Sequence, residues 1–336
     1  LVTAVLMRLI EQGQIDEAFV AEHTEGWEEL CAHLETLSYP DVVAASGLTP
    51  AQVDEFASLY GSANRAVIVW SMGITQHRDG VAGVQAIVNL ALARGNVGRT
   101  GAGLMPIRGH SGVQGGAEMG AYATAMPGGV PVDAEQAVRF EKLWGVPVPS
   151  SSGLMAPEMV DAAGRGGLDV LWCSGGNLTE VLPDPDTVAT ALERVPLRVH
   201  ADIVLTSQMF VPGDDVILLP VATRYEQEGG GTSTTTERRV AFSPEILRPP
   251  AEARSEWRLY GDVVAATAPD LAHTMDWTDN QALRREIAEV VPSYAGIETL
   301  AATGDAVQWG GRHLCADGRF PTPSGRGRFS VLDPGT

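Results

Sequence analysis

The residues best suited to chemistry in this sequence lie in one glycine-dense stretch. Residues 98–122 read GRTGAGLMPIRGHSGVQGGAEMGAY, with eight glycines and Arg108, His110, Ser111, Gln114 and Glu118 set between them. No helix or strand tolerates that density, because each glycine costs backbone entropy and packs nothing. Such a run lets backbone approach a bulky group closely, and the interleaved side chains select a polar or anionic one. The Arg108 guanidinium is a rigid fork for a carboxylate or phosphate; its alternative is a structural ion pair with Glu118 or another acid. His110 can donate a hydrogen bond or relay a proton, or serve structure alone. Leu104, Met105, Pro106, Ile107, Val113 and Met119 make the stretch too apolar for an exposed linker, so a buried cofactor loop is expected.

Other segments offer matching atoms. Gly175 and Gly176 follow an apolar run, and their backbone N–H groups can meet a pyrophosphate where a helix begins. Asn177 can cap that helix and bond a ribose; an ordinary glycine turn fits the same residues. Asp202 can accept from a ribose hydroxyl pair or from the N1–H and N2–H of a guanine, each bond contributing roughly 1.5–3 kcal/mol, or it can cap local backbone. Thr206 is a candidate phosphate or base contact and Glu256 a further acceptor. Residues 72–76, MGITQ, form a turn after another apolar run and bring Met72 and Gln76 into consideration.

The elements that must position these groups alternate. Residues 66–71 (AVIVWS), 168–173 (LDVLWC), 197–200 and 215–219 (DVILL) read as strands, the first buried on both faces. Helices are expected over 51–60, 80–94, 157–163, 186–194 and 255–265. The Thr49-Pro50-Ala51-Gln52 sequence provides a capping box before the first of these, and Gly61 its stop. Val81, Val84, Ile87, Val88 and Leu92 should face inward on the second. Residues 1–60 read as helices, led by a stripe of Leu1, Val2, Val5, Leu6, Leu9 and Ile10. Residues 225–239 (YEQEGGGTSTTTERR) read as a loop or lid. Strands alternating with helices predict an α/β fold of two mostly parallel sheets with helices on both faces. Ligands of such sheets sit at the carboxyl ends of strands, where the candidate residues fall.

Composition bounds the function. At 336 residues the chain fits roughly two domains. A net charge of −19 opposes nucleic acid or an anionic membrane as partner, and no apolar run approaches the roughly 20 residues of a span. Cys31, Cys173 and Cys315 form no CxxC, so no zinc knuckle or iron–sulfur cluster is expected within this segment, and scattered cysteines suit a reducing cytoplasm. No GxGxxG follows a strand and no GxxxxGK[ST] occurs, which disfavours a nicotinamide dehydrogenase and a P-loop NTPase.

In order along the chain, WSMGITQ, ARGNVGRTGAGLMPIRGHSGVQGGAEMG, the GGN turn, HADIVLT, DVILLP, YEQEGG, SEW and FPTPSG resemble the molybdopterin oxidoreductase family, in particular formate dehydrogenase alpha subunits. The resemblance covers nearly the whole chain. It implies molybdenum held by two molybdopterin guanine dinucleotides, and Rossmann-like dinucleotide-binding domains as in the middle of the formate dehydrogenase and DMSO reductase fold. Residues 1–110 would be part of a first α/β domain, 111–250 a second, and 251–336 an irregular and helical connection toward a C-terminal β-barrel. The metal's protein ligand and any iron–sulfur cluster would lie upstream of Leu1. By motif position, Met72, Gln76 and His110 look like pterin dinucleotide contacts. Gly175, Gly176, Asn177, Asp202, Thr206 and Glu256 look like pyrophosphate and guanosine contacts. Arg108 matches the arginine that orients the anionic substrate, with His110 beside it as a second catalytic candidate. His110 stands where typical formate dehydrogenases carry glutamine, and GGN replaces a more acidic turn. The expected function is two-electron oxidation of formate or a similar anion in the cytoplasm, with an electron-acceptor protein as partner. The alternative is a non-catalytic pterin-dinucleotide-binding module.

Overall fold

The computed structural model describes residues 1–110 and 112–332. It divides into two compact units, residues 1–110 with the segment from Gly310 onward, and residues 111–309.

The first unit is helix-rich. Helix Val2–Glu11 buries Ala4, Val5, Leu6 and Leu9, the inner stripe that its 3.6-residue period sets. Helix Pro50–Ser62 begins in the expected capping box, with Gln52 N–H donating to Thr49 Oγ1. It runs through Gly61 and ends beyond it. Val53, Ala57 and Tyr60 pack on the first helix, and Val20, Leu30, Leu34, Val43 and Phe329 complete the core. Phe329 belongs to the terminal segment, where Gly327–Arg328 pairs in parallel with Thr24–Glu25. Strand β1 (Val67–Trp70) pairs in parallel with β2 (Gly103–Pro106), and helix Gly80–Ala93 joins them. Two expectations fail here. Val67 and Val69 are about half exposed, on a sheet that has two strands among the described residues. Val81 is 77% exposed, whereas Ile87 and Leu92 are buried and Val84 and Val88 are half-buried.

The second unit holds a three-stranded parallel sheet in sequence order, β3 (Val170–Ser174), β4 (Leu197–Asp202) and β5 (Asp215–Pro220). Helices Ala156–Gly164 and Pro185–Glu193 cover one face, where Leu171 and Cys173 meet Val160, Val188 and Leu192. Helix Glu256–Thr267 covers the other through Leu259 against Ala201 and Val221. In a sheet that runs in sequence order, right-handed crossovers lie on a single face; the other face is covered by helix Glu256–Thr267, which comes after β5.

Residues 225–239 are not simply a loop. β6 (Gly231–Thr234) and β7 (Arg239–Ser243) form an antiparallel hairpin, and β8 (Ala306–Gln308) pairs antiparallel with β7. The β-branched threonines that look like loop polarity are strand formers. Thr234 is buried and exchanges a hydrogen bond with Tyr294 Oη at 2.8 Å. Residues 251–309 pack within this second unit, including helix Asn280–Val290.

Candidate functional site

The second unit brings six of the named residues to one end of its parallel sheet. Ser174 pairs with Ala201, so β3 and β4 finish side by side. The chain leaves β3 through Gly175 and Gly176 at φ +70° and +75°, a left-handed pair that other residues adopt only at a cost. Gly175 N–H donates to Ala201 O at 2.8 Å. A Cβ added at either glycine meets nothing within 4 Å, so both face open space. The N–H groups of Gly176 and Asn177 find no acceptor among the described residues. Asn177 holds the cap position of the short helix Leu178–Val181 without a side-chain capping bond. Its Nδ2 donates to Ser207 Oγ at 2.7 Å, and its Oδ1 accepts from Thr179 Oγ1 at 2.7 Å.

The loop after β4 interlocks with that turn. Asp202 Oδ1 accepts from the N–H of Ile203 at 2.6 Å and of Val204 at 3.4 Å, the local capping role. Thr206 Oγ1 is buried without a hydrogen-bond partner among the described residues, and such a hydroxyl carries a desolvation cost. Gln208, which is 1% exposed, accepts from Leu178 N–H through Oε1 and donates to Gly176 O through Nε2, both at 2.9 Å. Below it Arg198 is fully buried and donates to the carbonyls of Gln208 (3.3 Å), Val211 and Pro212 (2.9 Å). Burial pushes its pKa down. His200, also on the buried face, has no hydrogen-bond partner on either ring nitrogen among the described residues. Burial lowers its pKa, the Arg198 charge adds to this, and Asp202 opposes it.

On the opposite face, Tyr260 Oη hydrogen-bonds Ser174 Oγ, which also accepts from Trp172 Nε1 at 3.1 Å. This contact docks helix Glu256–Thr267 at the carboxyl end of β3, and half-buried Glu256 lies one turn before Tyr260. Gln208, Arg198 and Tyr260 escaped the sequence reading. Their roles depend on which loops meet, and no local spacing encodes that.

The first unit gathers the remaining residues. Ile107 N–H donates to Trp70 O at 2.7 Å and Ser71 Oγ to Ile107 O at 2.8 Å, so β1 and β2 also end together. Met72–Thr75 forms one helical turn, and Gln76 Nε2 points at Met72 Sδ from 3.8 Å. A Cβ at Gly109 would stand 3.2 Å from Met72 Cε, which places Met72 and Gln76 beside the segment that carries Arg108 and His110. Both of those residues are exposed, as are all of residues 105–110. Among the described residues no strand pairs with β2 other than β1, and the loop after β2 is exposed in this chain. Ser111 lies outside the described residues.

The glycines of residues 98–122 divide by role. At Gly98 an added Cβ would lie 2.1 Å from Cys315 O, and at Gly120 2.5 Å from the Met126 carbonyl carbon. Those two exist for close approach of the chain to itself. Gly103 and Gly112 face open space. Glu118 is taken up within the second unit, accepting from Trp309 Nε1 at 3.0 Å, from Tyr294 Oη and from Gln114 Nε2. Burial and the Glu118 hydrogen bond push the Tyr294 phenol up.

Comparison with known proteins identifies what the chain is similar to. The chain is 32% identical over 342 residues to the F420-dependent formate dehydrogenase subunit alpha of Methanocaldococcus jannaschii, covering 99% of this chain and 49% of that protein. It is 32% identical over 327 residues to protein YdeP of Escherichia coli, covering 94% and 42%. It is 30% identical over 334 residues to the probable oxidoreductase YjgC of Bacillus subtilis, covering 96% and 33%. The chain thus spans half or less of these relatives. Among solved structures, acetylene hydratase from Pelobacter acetylenicus matches with a TM-score of 0.65 at 14% identity, covering 98% of this chain and 47% of that one, a likeness of fold. The family model for molybdopterin oxidoreductases matches residues 5–266, and the chain belongs to the molybdopterin oxidoreductase family.

Proposed function

We propose that this chain is a segment of a molybdenum-dependent oxidoreductase that removes two electrons from a small anion, formate or a close analogue, at a centre carrying two molybdopterin guanine dinucleotides. An electron-acceptor protein would be its partner. The reading rests above all on the paired turns at the end of β3 and β4. There, two left-handed glycines, two unpartnered backbone N–H groups and the buried Thr206 hydroxyl form a donor set that suits a pyrophosphate. Asp202 keeps Oδ2 for the donor edge of a guanine while Oδ1 holds its own loop. Glu256 would add a second acceptor, and Asn177 would steady the turn rather than reach a ribose, because its amide is already engaged.

In the first unit, Met72, Gln76 and His110 would line the second contact segment. Arg108 would bind the substrate carboxylate as a bidentate fork, fixing the anion's orientation. His110, two residues on, would accept or pass the proton released as formate becomes carbon dioxide. The molybdenum centre, when bound, supplies the two-electron sink.

The test is Arg108→Ala in the full-length protein. Turnover of formate with a dye acceptor should vanish while bound pterin remains. Loss of pterin with this substitution would instead assign Arg108 to cofactor anchoring.

A further inference from the structure

We infer that Gln208 is a positioning residue that aims the backbone donor of the Gly176–Asn177 peptide, the Asn177 N–H, at the phosphate of a bound nucleotide. The inference rests on the dinucleotide reading above. Gly176 C=O and Asn177 N–H belong to one planar peptide, and in a trans peptide the two point in opposite directions. Gln208 Nε2 holds the Gly176 carbonyl at 2.9 Å, so the Asn177 N–H is turned away from Gln208. It has no acceptor among the described residues.

Gln208 cannot swing to follow another partner. Its Oε1 is fixed by Leu178 N–H at 2.9 Å, and the side chain is 1% exposed. Its own carbonyl accepts from buried Arg198 at 3.3 Å, and Arg198 also holds Val211 and Pro212. The grip leaves no room at Gly213, where a Cβ would come within 2.8 Å of an Arg198 terminal nitrogen. Glycines at 175 and 176 are otherwise free to reorient their peptides at little cost. Without the glutamine the Gly176–Asn177 peptide can flip and present a carbonyl to the phosphate.

The experiment compares GDP with guanosine as probes of the full-length protein produced without cofactor, by titration calorimetry. Guanosine lacks the phosphates, so it reports the base and ribose contacts alone. Gln208→Met removes both hydrogen bonds at similar volume and should weaken GDP at least about tenfold while changing guanosine less than about twofold, as expected for one charge-assisted bond. Gln208→Glu keeps the acceptor for Leu178 and loses the donor at neutral pH. It should show the same selective loss, regained at a pH low enough to protonate the new carboxyl. Equal weakening of both probes would reduce Gln208 to a structural role, and unchanged GDP binding by both variants would overturn the inference. Failure of the unsubstituted protein to bind either probe would overturn the dinucleotide reading and this inference with it.

Discussion

Gly176→Ala separates a backbone requirement from a ligand requirement. The added methyl meets no protein atom within 4 Å, so no clash contributes. What remains is the left-handed backbone at φ +75°, which costs an alanine about 1–2 kcal/mol. The loss of chain entropy in the unfolded state returns about 0.4–1 kcal/mol. The net destabilisation is about 1 kcal/mol, or about 2–4 °C in Tm for a domain of this size class. The methyl does, however, occupy the open space over which a phosphate would approach the Gly176 and Asn177 N–H groups. Loss of one charge-assisted hydrogen bond is worth roughly 1.5–3 kcal/mol, a weakening of about 10- to 150-fold. Urea denaturation of the full-length variant measures the first number, and GDP titration of its cofactor-free form the second. Near-normal stability with GDP affinity reduced by that factor is the expected pair. Near-normal stability with unchanged GDP affinity would refute the assignment, because bare backbone at this turn would then serve only the fold.

Other substitutions probe neighbouring positions. Asp202→Asn retains an oxygen for the Ile203 and Val204 N–H groups, so unfolding should shift by less than about 0.5 kcal/mol, while guanosine affinity, measured by the same titration, should fall because an amide presents a donor to the guanine edge. Gly98→Ala adds a Cβ 2.1 Å from Cys315 O, and denaturation should show about 1–3 kcal/mol for the overlap beyond the backbone cost. His200 is held below its ordinary pKa, so the unfolded chain binds its proton first as pH falls. Stability from this group is complete above about pH 6.5 and declines below it by up to about 1.4 kcal/mol per pH unit until the folded-state pKa is reached. His200→Leu should flatten that part of the unfolding profile, and an unchanged slope would contradict the assignment.

What was legible in the sequence was local. The capping box at Thr49–Gln52, the strands around 170–174, 197–202 and 215–220, and the helix of 256–267 announce themselves through period and end signals within a few residues. The candidate turns were legible for the same reason, as glycines and short polar residues directly after apolar runs. Long-range pairings were not. β8 joins β7 across more than sixty residues of chain, and Glu118 finds its partners in Tyr294 and Trp309. Arg198 and His200 lie within a readable strand, yet charged and titratable residues are ordinarily exposed, and nothing nearby signals that three carbonyls bury this arginine. The glycine-dense stretch shows the converse. Its composition marks close approach, but Gly98 and Gly120 meet the chain's own backbone, and only coordinates separate those from glycines that face open space.

The central claim, that the turns after β3 and β4 hold a guanine dinucleotide form of the pterin, is tested most directly by analysing the full-length purified protein for molybdenum and for guanine nucleotide released by acid. The account predicts both, with the guanine nucleotide depleted in Gly176→Ala. Molybdenum and pterin without any guanine nucleotide would contradict it.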